Sequence, residues 1–126
     1  MSDFGWTVHP TSLLHCLRAL KRYNVPLYVT EHGLSDAKDR LRTQFLKNAA
    51  TCLYRAVHED IPVKGYFHWS LLDNYEWAAG YTQRFGLVEV DFVTRTRSVR
   101  PSARYFETIC KSNSIDDEML LDAHRI

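Results

Sequence analysis

Cysteine is scarce in this chain, and its spacing indicates free thiols. The three cysteines (Cys16, Cys52 and Cys110) are an odd number, lie far apart and form no C-x-x-C pair. Two of them fall at apolar positions of helical patterns, as buried thiols do. We therefore expect reduced core cysteines in a cytoplasmic protein.

Metal-ligand spacings and long apolar runs are also absent from the sequence. The six histidines show no H-x-x-x-H or similar pattern, so we expect no metal site and no cofactor. No apolar run is long enough to span a bilayer, and no charged-then-apolar segment follows Met1. We therefore expect no membrane span and no signal peptide.

Charge of either sign is nearly balanced. The 16 Lys and Arg residues and 15 Asp and Glu residues leave a formal net charge of +1. That balance argues against nucleic acid and membrane surfaces as partners, because both are held by long-range charge. A local arginine cluster, which we interpret as a solvated surface, comprises Arg95, Arg97, Arg100 and Arg104.

Two amphipathic patterns predict helices. A leucine stripe predicts a helix over residues 11–23, ended by Asn24. A longer helix is predicted from a cap at Asp36 or Asp39 to about His58. Its expected inner face consists of Leu41, Phe45, Ala49, Cys52, Leu53 and Ala56.

Two apolar runs predict parallel strands. Residues 27–30 and 63–69 lack polar alternation, which is typical of strands buried on both faces, and the long helix between them completes a βαβ unit. Residues 85–92 predict a further strand or extended ribbon, and Pro101 opens a last helix to about Cys110. Because so few strands would leave hydrophobic edges open, we expect an α/β piece of a larger fold.

The segment 66–77 predicts a sugar-binding loop at the end of the second strand. Trp69 and Trp77 offer flat apolar faces and N–H donors, and Glu76 offers acceptor oxygens, which together match the C–H face and hydroxyl rim of a pyranose. The alternative is a Trp-rich corner of the core. The upstream T-E-H-G at residues 30–33 favours the sugar site.

These residues resemble the two signatures of glycoside hydrolase family 1, the β-glucosidase and β-galactosidase family. L-Y-V-T-E-H-G at residues 27–33 resembles its strand followed by T-E-N-G, and G-Y-F-H-W-S-L-L-D-N-Y-E-W at 65–77 resembles its second signature. The resemblance is closest to archaeal-type members and covers about residues 2–112. It continues, in the family's order, at D-F-G-W (3–6), G-Y (80–81), R-F-G-L (84–87) and V-D-F (90–92).

The resemblance implies an incomplete (β/α)₈ TIM barrel. The chain would supply barrel strands seven and eight with their flanking helices over residues 1–112, leaving residues 113–126 as a loosely ordered tail. Both signatures would then lie at the C-terminal ends of strands, where barrel enzymes place their chemistry.

The resemblance also assigns roles to site residues. Glu31 would be the catalytic nucleophile. A reaction that retains configuration also needs an acid/base carboxyl about 5 Å from the nucleophile. The family carries that acid/base in an Asn-Glu-Pro motif, and none occurs here. Glu76 would accept hydrogen bonds from the sugar 4- and 6-hydroxyls, Trp69 would stack on the sugar, and Trp77 would donate its indole N–H. The Trp69–Ser70 bond corresponds to a non-proline cis peptide in the family.

Glu76 bears on substrate specificity, and His32 departs from the family's usual residue. Family members that act on 6-phosphorylated sugars lack an acid at the position of Glu76, so an unphosphorylated substrate is implied. His32 stands where the family usually has Asn, whose amide helps to hold the loop near the nucleophile. An imidazole can also donate a hydrogen bond, although it titrates near neutrality. The alternative for His32 is a tolerated loop variation.

Three functions are consistent with the sequence. The first is the C-terminal piece of a retaining β-glycosidase, inactive alone, that acts on small-molecule β-glucosides or β-galactosides and pairs with an N-terminal barrel piece or with itself. The second is a non-catalytic carbohydrate-binding remnant. The third is a structural βαβ domain without a ligand.

Overall fold

The computed structural model describes residues 1–117, which form three helices and four short strands. Two 3₁₀ turns, Lys21–Tyr23 and Trp77–Ala79, lie between them. In chain order the elements are α1 (Ser12–Leu20), β1 (Leu27–His32), α2 (Arg42–His58), β2 (Val63–His68), β3 (Val88–Val90), β4 (Arg97–Val99) and α3 (Pro101–Ser112).

Strands β1 and β2 pair in parallel with α2 between them, which confirms the predicted βαβ unit. The register joins Leu27 to Val63 at one end and His32 to His68 at the other. Their apolar side chains pack against α1 and α2 around a core of Leu13, Leu14, Leu17, Ala49, Cys52, Ala56 and Ile61. The carboxyl ends of both strands therefore lie side by side, where the site residues follow.

Helix α2 begins later than the pattern predicted. One carboxylate oxygen of Asp36 accepts the backbone N–H groups of Leu41 at 2.8 Å and Arg42 at 3.1 Å, so Asp36 caps the helix from five residues upstream. Leu41 thus precedes the first turn and is 41% exposed, which corrects its placement on the inner face. Leu46, 2% exposed, takes a buried position instead.

Burial of β1 and β2 on both faces was a wrong expectation. Tyr28 and Phe67 point away from the helices and are each 59% exposed. The physical reason is that α1, α2 and α3 cover only one face of the two-stranded sheet within residues 1–117. A parallel sheet with one bare face is unusual, because such sheets are normally covered on both sides.

The predicted strand over residues 85–92 is short in the structure and belongs to a hairpin. Only Val88–Val90 is extended, and it pairs antiparallel with β4, a strand that the sequence did not predict. Asp91 makes the turn between them, since its carboxylate accepts the backbone N–H groups of Val93 at 2.8 Å and Thr94 at 3.0 Å.

The arginine cluster is solvated except at one position. Arg95, Arg97 and Arg104 are exposed, as expected. Arg100 is only 5% exposed and binds buried Asp73, so the surface interpretation was wrong for this residue. A guanidinium is buried when a carboxylate pairs with it, and a sequence pattern of surface charges does not reveal that partner.

The cysteines are free, but only one lies in the core. Cys52 is buried, whereas Cys16 and Cys110 are exposed, which corrects the expectation of core thiols. Within residues 1–117 no helix has the length and apolar character to cross a membrane. The same part of the chain holds no cluster of three His, Cys, Asp or Glu side chains suited to a metal ion. Residues 118–126 of the predicted tail lie outside the described residues.

Candidate active site

The two signature segments meet where β1 and β2 end. The backbone N–H of Trp69 donates to the carbonyl of His32 at 3.1 Å, which continues the parallel ladder past both strands. A Cβ on Gly33 would lie 1.7 Å from the Trp69 carbonyl oxygen, so only glycine permits this approach. Glu31 lies two residues before this contact, and its side chain is exposed.

Trp69 and Glu76 are joined directly. The Trp69 indole Nε1–H donates to Glu76 Oε1 at 2.9 Å, and both side chains are half-buried. The bond holds the indole beside the acid and leaves the other Glu76 oxygen able to accept a hydroxyl. The peptide bond between Trp69 and Ser70 is cis, as the family resemblance implied.

Trp77 lies apart from this pair. It is 83% exposed with a positive φ of 49°, at the start of the second 3₁₀ turn. The core-corner alternative is therefore wrong for Trp77. Among the contacts found within residues 1–117, none joins the side chain of Glu31 to Trp69, Glu76 or Trp77. The chain thus brings Glu31 and the loop after β2 (residues 69–77, the acidic loop) to one edge of the sheet without direct side-chain contact.

Asp73 holds the acidic loop in place, a role that the sequence did not predict. Its buried carboxylate accepts the backbone N–H groups of Gly86 at 2.8 Å and Val90 at 3.3 Å. It also pairs with Arg100 at 3.1 Å and Arg84 at 3.5 Å. The available signal was an acidic residue inside an apolar signature, which is buried only when it is paired.

His32 lies on the helix-facing side of β1, as Val29 does three residues earlier, because the register with β2 shifts between these two residues. Its ring stacks on Phe45 of α2 with centroids 4.5 Å apart, and its Nδ1 lies 3.0 Å from the Tyr66 hydroxyl. Burial lowers the pKa of His32 below its ordinary value and raises that of Tyr66. His32 therefore anchors the end of β1 to α2 through its ring stack and its contact with Tyr66.

His68, the register partner of His32, is a second half-buried imidazole behind the site. It lies between Phe45 and Phe106, with ring centroids 6.3 Å and 6.1 Å away. Burial first, and then the charges of Arg42 and His32, lower the pKa of His68 to about 4. Neither ring nitrogen has a hydrogen-bond partner within the part of the chain that is described.

The edge of the sheet combines one exposed carboxylate with a second acid held against an indole. An exposed carboxylate can attack an electrophilic carbon, and an acid beside an indole can hold a sugar by its hydroxyls and its C–H face. Parallel strands that end in this combination are typical of glycoside hydrolases of the α/β class.

Comparison with known proteins agrees with that class. The sequence profile of the family described as Glycosyl hydrolase family 1 matches residues 1–115. The chain therefore belongs to glycosyl hydrolase family 1.

Similar proteins include β-galactosidases and β-glucosidases. The chain is 44% identical over 119 residues to a β-galactosidase of Sulfolobus acidocaldarius, covering 94% of this chain and 24% of that protein. It is 39% identical over 124 residues to β-glucosidase A of Thermotoga maritima, covering 90% of this chain and 28% of that protein. The chain thus spans about a quarter of the length of these relatives.

Solved structures match in fold as well. The β-glycosidase of the hyperthermophile Thermosphaera aggregans superposes with a TM-score of 0.89 at 51% identity, covering 94% of this chain and 25% of that one. A Thermotoga maritima β-glucosidase in complex with deoxynojirimycin superposes with a TM-score of 0.86 at 36% identity, covering 91% of this chain and 28% of that one. The described α/β piece is therefore part of the fold of these enzymes.

Proposed function

We propose that the chain is the C-terminal piece of a retaining β-glycosidase for unphosphorylated β-glucosides or β-galactosides. The observation that carries the proposal is the exposed Glu31 at the carboxyl end of β1, next to the loop in which Trp69 binds Glu76. In this proposal β1 and β2 are barrel strands seven and eight. The proposal also keeps the cytoplasmic location, with which the three free cysteines agree.

Glu31 acts as the nucleophile in this mechanism. One of its oxygens attacks the anomeric carbon, the bond from that carbon to the aglycone oxygen breaks, and a general acid protonates the leaving oxygen. The same group then takes a proton from water, which attacks the anomeric carbon and releases Glu31. Because the chain has no Asn-Glu-Pro motif, the acid/base comes from the rest of the barrel.

The acidic loop holds the sugar in place for this attack. Glu76 accepts hydrogen bonds from the 4- and 6-hydroxyls, Trp69 stacks on the sugar, and the exposed Trp77 donates its indole N–H once a sugar is present. Hydrogen bonds from hydroxyls to a charged acceptor contribute about 1.5–3 kcal/mol each. This binding raises the rate only as far as it strengthens in the transition state.

The bare face of the β1–β2 sheet supports an incomplete barrel. Tyr28 and Phe67, each 59% exposed, would point into the barrel interior and be covered by side chains from the remaining strands. The partner that completes the site is thus an N-terminal barrel piece, and self-association of the chain is the alternative cover for this face.

A test joins the chain to a relative. A chimaera in which this chain replaces the matching quarter of the Sulfolobus acidocaldarius β-galactosidase should hydrolyse p-nitrophenyl β-glycosides. In it, Glu31→Gln should lower kcat at least about 10⁴-fold, and Glu76→Gln should lower kcat/KM about 10- to 100-fold. Glu89→Gln, at an exposed position of β3, is the matched control and should leave turnover unchanged. Near-normal turnover of Glu31→Gln would exclude this nucleophile.

The second candidate is a non-catalytic carbohydrate-binding remnant. The observation that favours it is that Trp69, Glu76 and Trp77 are all present without an Asn-Glu-Pro motif. The isolated chain should lack measurable turnover under either function, because a positioned acid/base contributes about 10²–10⁴-fold. A folded chimaera that binds sugar without hydrolysis would favour the remnant.

A further inference from the structure

Arg100 is a buried cation that connects the N-cap position of α3 to the acidic loop. Its side chain is 4% exposed, although it stands among solvated arginines. Its two terminal nitrogens donate to the two carboxylate oxygens of Asp73, each at 3.1 Å. The first also donates to the carbonyl of Gly86 at 2.7 Å, and the second lies 3.5 Å from the carbonyl of Ala37, in the segment after β1.

Through these contacts one side chain reaches three segments around the site. Asp73 lies four residues after Trp69 and three before Glu76, so the orientation of its carboxylate fixes the middle of the acidic loop. Gly86 belongs to the segment before β3 whose backbone also binds Ser70, since the Leu87 N–H donates to the Ser70 carbonyl at 2.8 Å. The guanidinium is therefore located where a change of geometry would move the loop that carries both Trp69 and Glu76.

A buried ion pair is a poor device for stability alone. Removal of two charges from water costs several kcal/mol per ion, and apolar replacements are often neutral or stabilising. A bidentate guanidinium–carboxylate pair does fix direction and distance, which an apolar contact does not. The contacts of Arg100 thus favour a role in geometry.

We propose that Arg100 is a positioning residue for the glycosidase reaction, acting through Asp73 to hold Glu76 and Trp69 against the sugar. The inference rests on the function proposed above and adds a residue outside the two signatures. Arg100 touches no reacting atom, and its effect on the rate passes through Glu76.

The experiment is a double-mutant cycle in the chimaera described above, read as kcat/KM. Arg100→Lys keeps the charge but cannot span both Asp73 oxygens and the Gly86 carbonyl. It should lower kcat/KM about tenfold with Glu76 present, and less than about twofold when Glu76→Gln is already in place, because contacts in one network are not additive. Arg97→Lys, at an exposed position of β4, is the matched control and should change neither value.

Each outcome decides between positioning and plain structural support. Equal losses with and without Glu76→Gln, or no loss at all, would overturn the positioning role while leaving the proposed function intact. If Arg100→Lys does not fold, Asp73→Asn replaces it in the same cycle with the same expected non-additivity. A folded but inactive unsubstituted chimaera would instead reject the proposed function, and the inference with it.

Discussion

At the scale of single residues, the end of β1 has an exposed carboxylate on one side and a half-buried aromatic layer on the other. Glu31 faces solvent, while the next residue, His32, stacks on Phe45 and reaches the Tyr66 hydroxyl. A register shift between Val29 and His32 makes this division, because it places His32 on the face that packs against the helices. His32, which stands where the family usually has Asn, therefore contributes to the packing behind Glu31.

His68 makes the stability of the fold depend on pH. Its pKa is about 4 in the folded chain against an ordinary value of 6.5, so the unfolded chain takes up the proton first as the pH falls. The stabilisation is fully present above pH 6.5 and is lost as the pH falls towards 4, with a total of about 3 kcal/mol. Protonated His68 would also face the charge of Arg42, which the Asp39 carboxylate offsets only in part.

The expected result is a steep loss of stability between pH 6.5 and 4 that His68→Leu makes shallower. Urea unfolding at low chain concentration, followed by tryptophan fluorescence at several pH values, measures it. His15→Leu, at an exposed position of α1, serves as the control and should keep the steep dependence. Parallel pH profiles for the chain with and without His68→Leu would contradict the assignment.

At the scale of elements, the spacing of apolar residues and the positions of turn residues and prolines were sufficient to predict the βαβ unit and α3. The leucine stripe, the left-handed Asn24 with φ 48° and the Pro101 start all have local physical causes that are visible in the sequence. The start of α2 was not local, because the capping carboxylate of Asp36 reaches over five residues. Strand β4 was also missed, since it depends on pairing with β3 more than on its own residues.

The candidate site could be predicted in part. The motif resemblance gave Glu31, Trp69, Glu76 and Trp77, and the structure joins Trp69 to Glu76. The support of the site was not predictable, because Arg100 meets Asp73 across 27 positions of sequence. No periodic pattern encodes a contact of that kind.

The bare sheet face predicts that the isolated chain associates. Tyr28 and Phe67 add apolar area to a two-stranded sheet with open edges, and such edges pair with other chains. We expect oligomers at micromolar concentration, and Tyr28→Thr combined with Phe67→Thr should shift the chain towards monomer. Size-exclusion chromatography with light scattering measures this shift.

The matched control for this prediction is Tyr23→Thr. Tyr23 is 57% exposed, as much as the two face residues, but lies in the 3₁₀ turn after α1. Its replacement should leave the association unchanged. A stable, monodisperse monomer of the unsubstituted chain with sharp thermal unfolding would contradict the incomplete-barrel argument.

At the scale of the whole molecule, the proposed function gives the chain one part of a two-carboxylate reaction. It spans about a quarter of the length of its β-galactosidase and β-glucosidase relatives. The proposed nucleophile and the acidic loop lie at one edge of its β1–β2 sheet. The acid/base would come from the remaining part of the barrel. This division explains why an intact Glu31 and a complete acidic loop are expected to be insufficient for turnover by the chain alone.

The central claim, that Glu31 forms a glycosyl ester, is tested most directly by trapping that ester. A 2-deoxy-2-fluoro-β-glucoside with a dinitrophenolate leaving group should react with the chimaera, because the fluorine slows hydrolysis of the ester and the leaving group needs little protonation. Peptide mass spectrometry should then find the added fluoroglucosyl mass on Glu31. A label on another carboxylate, or steady turnover of ordinary substrates with no label at Glu31, would contradict the account.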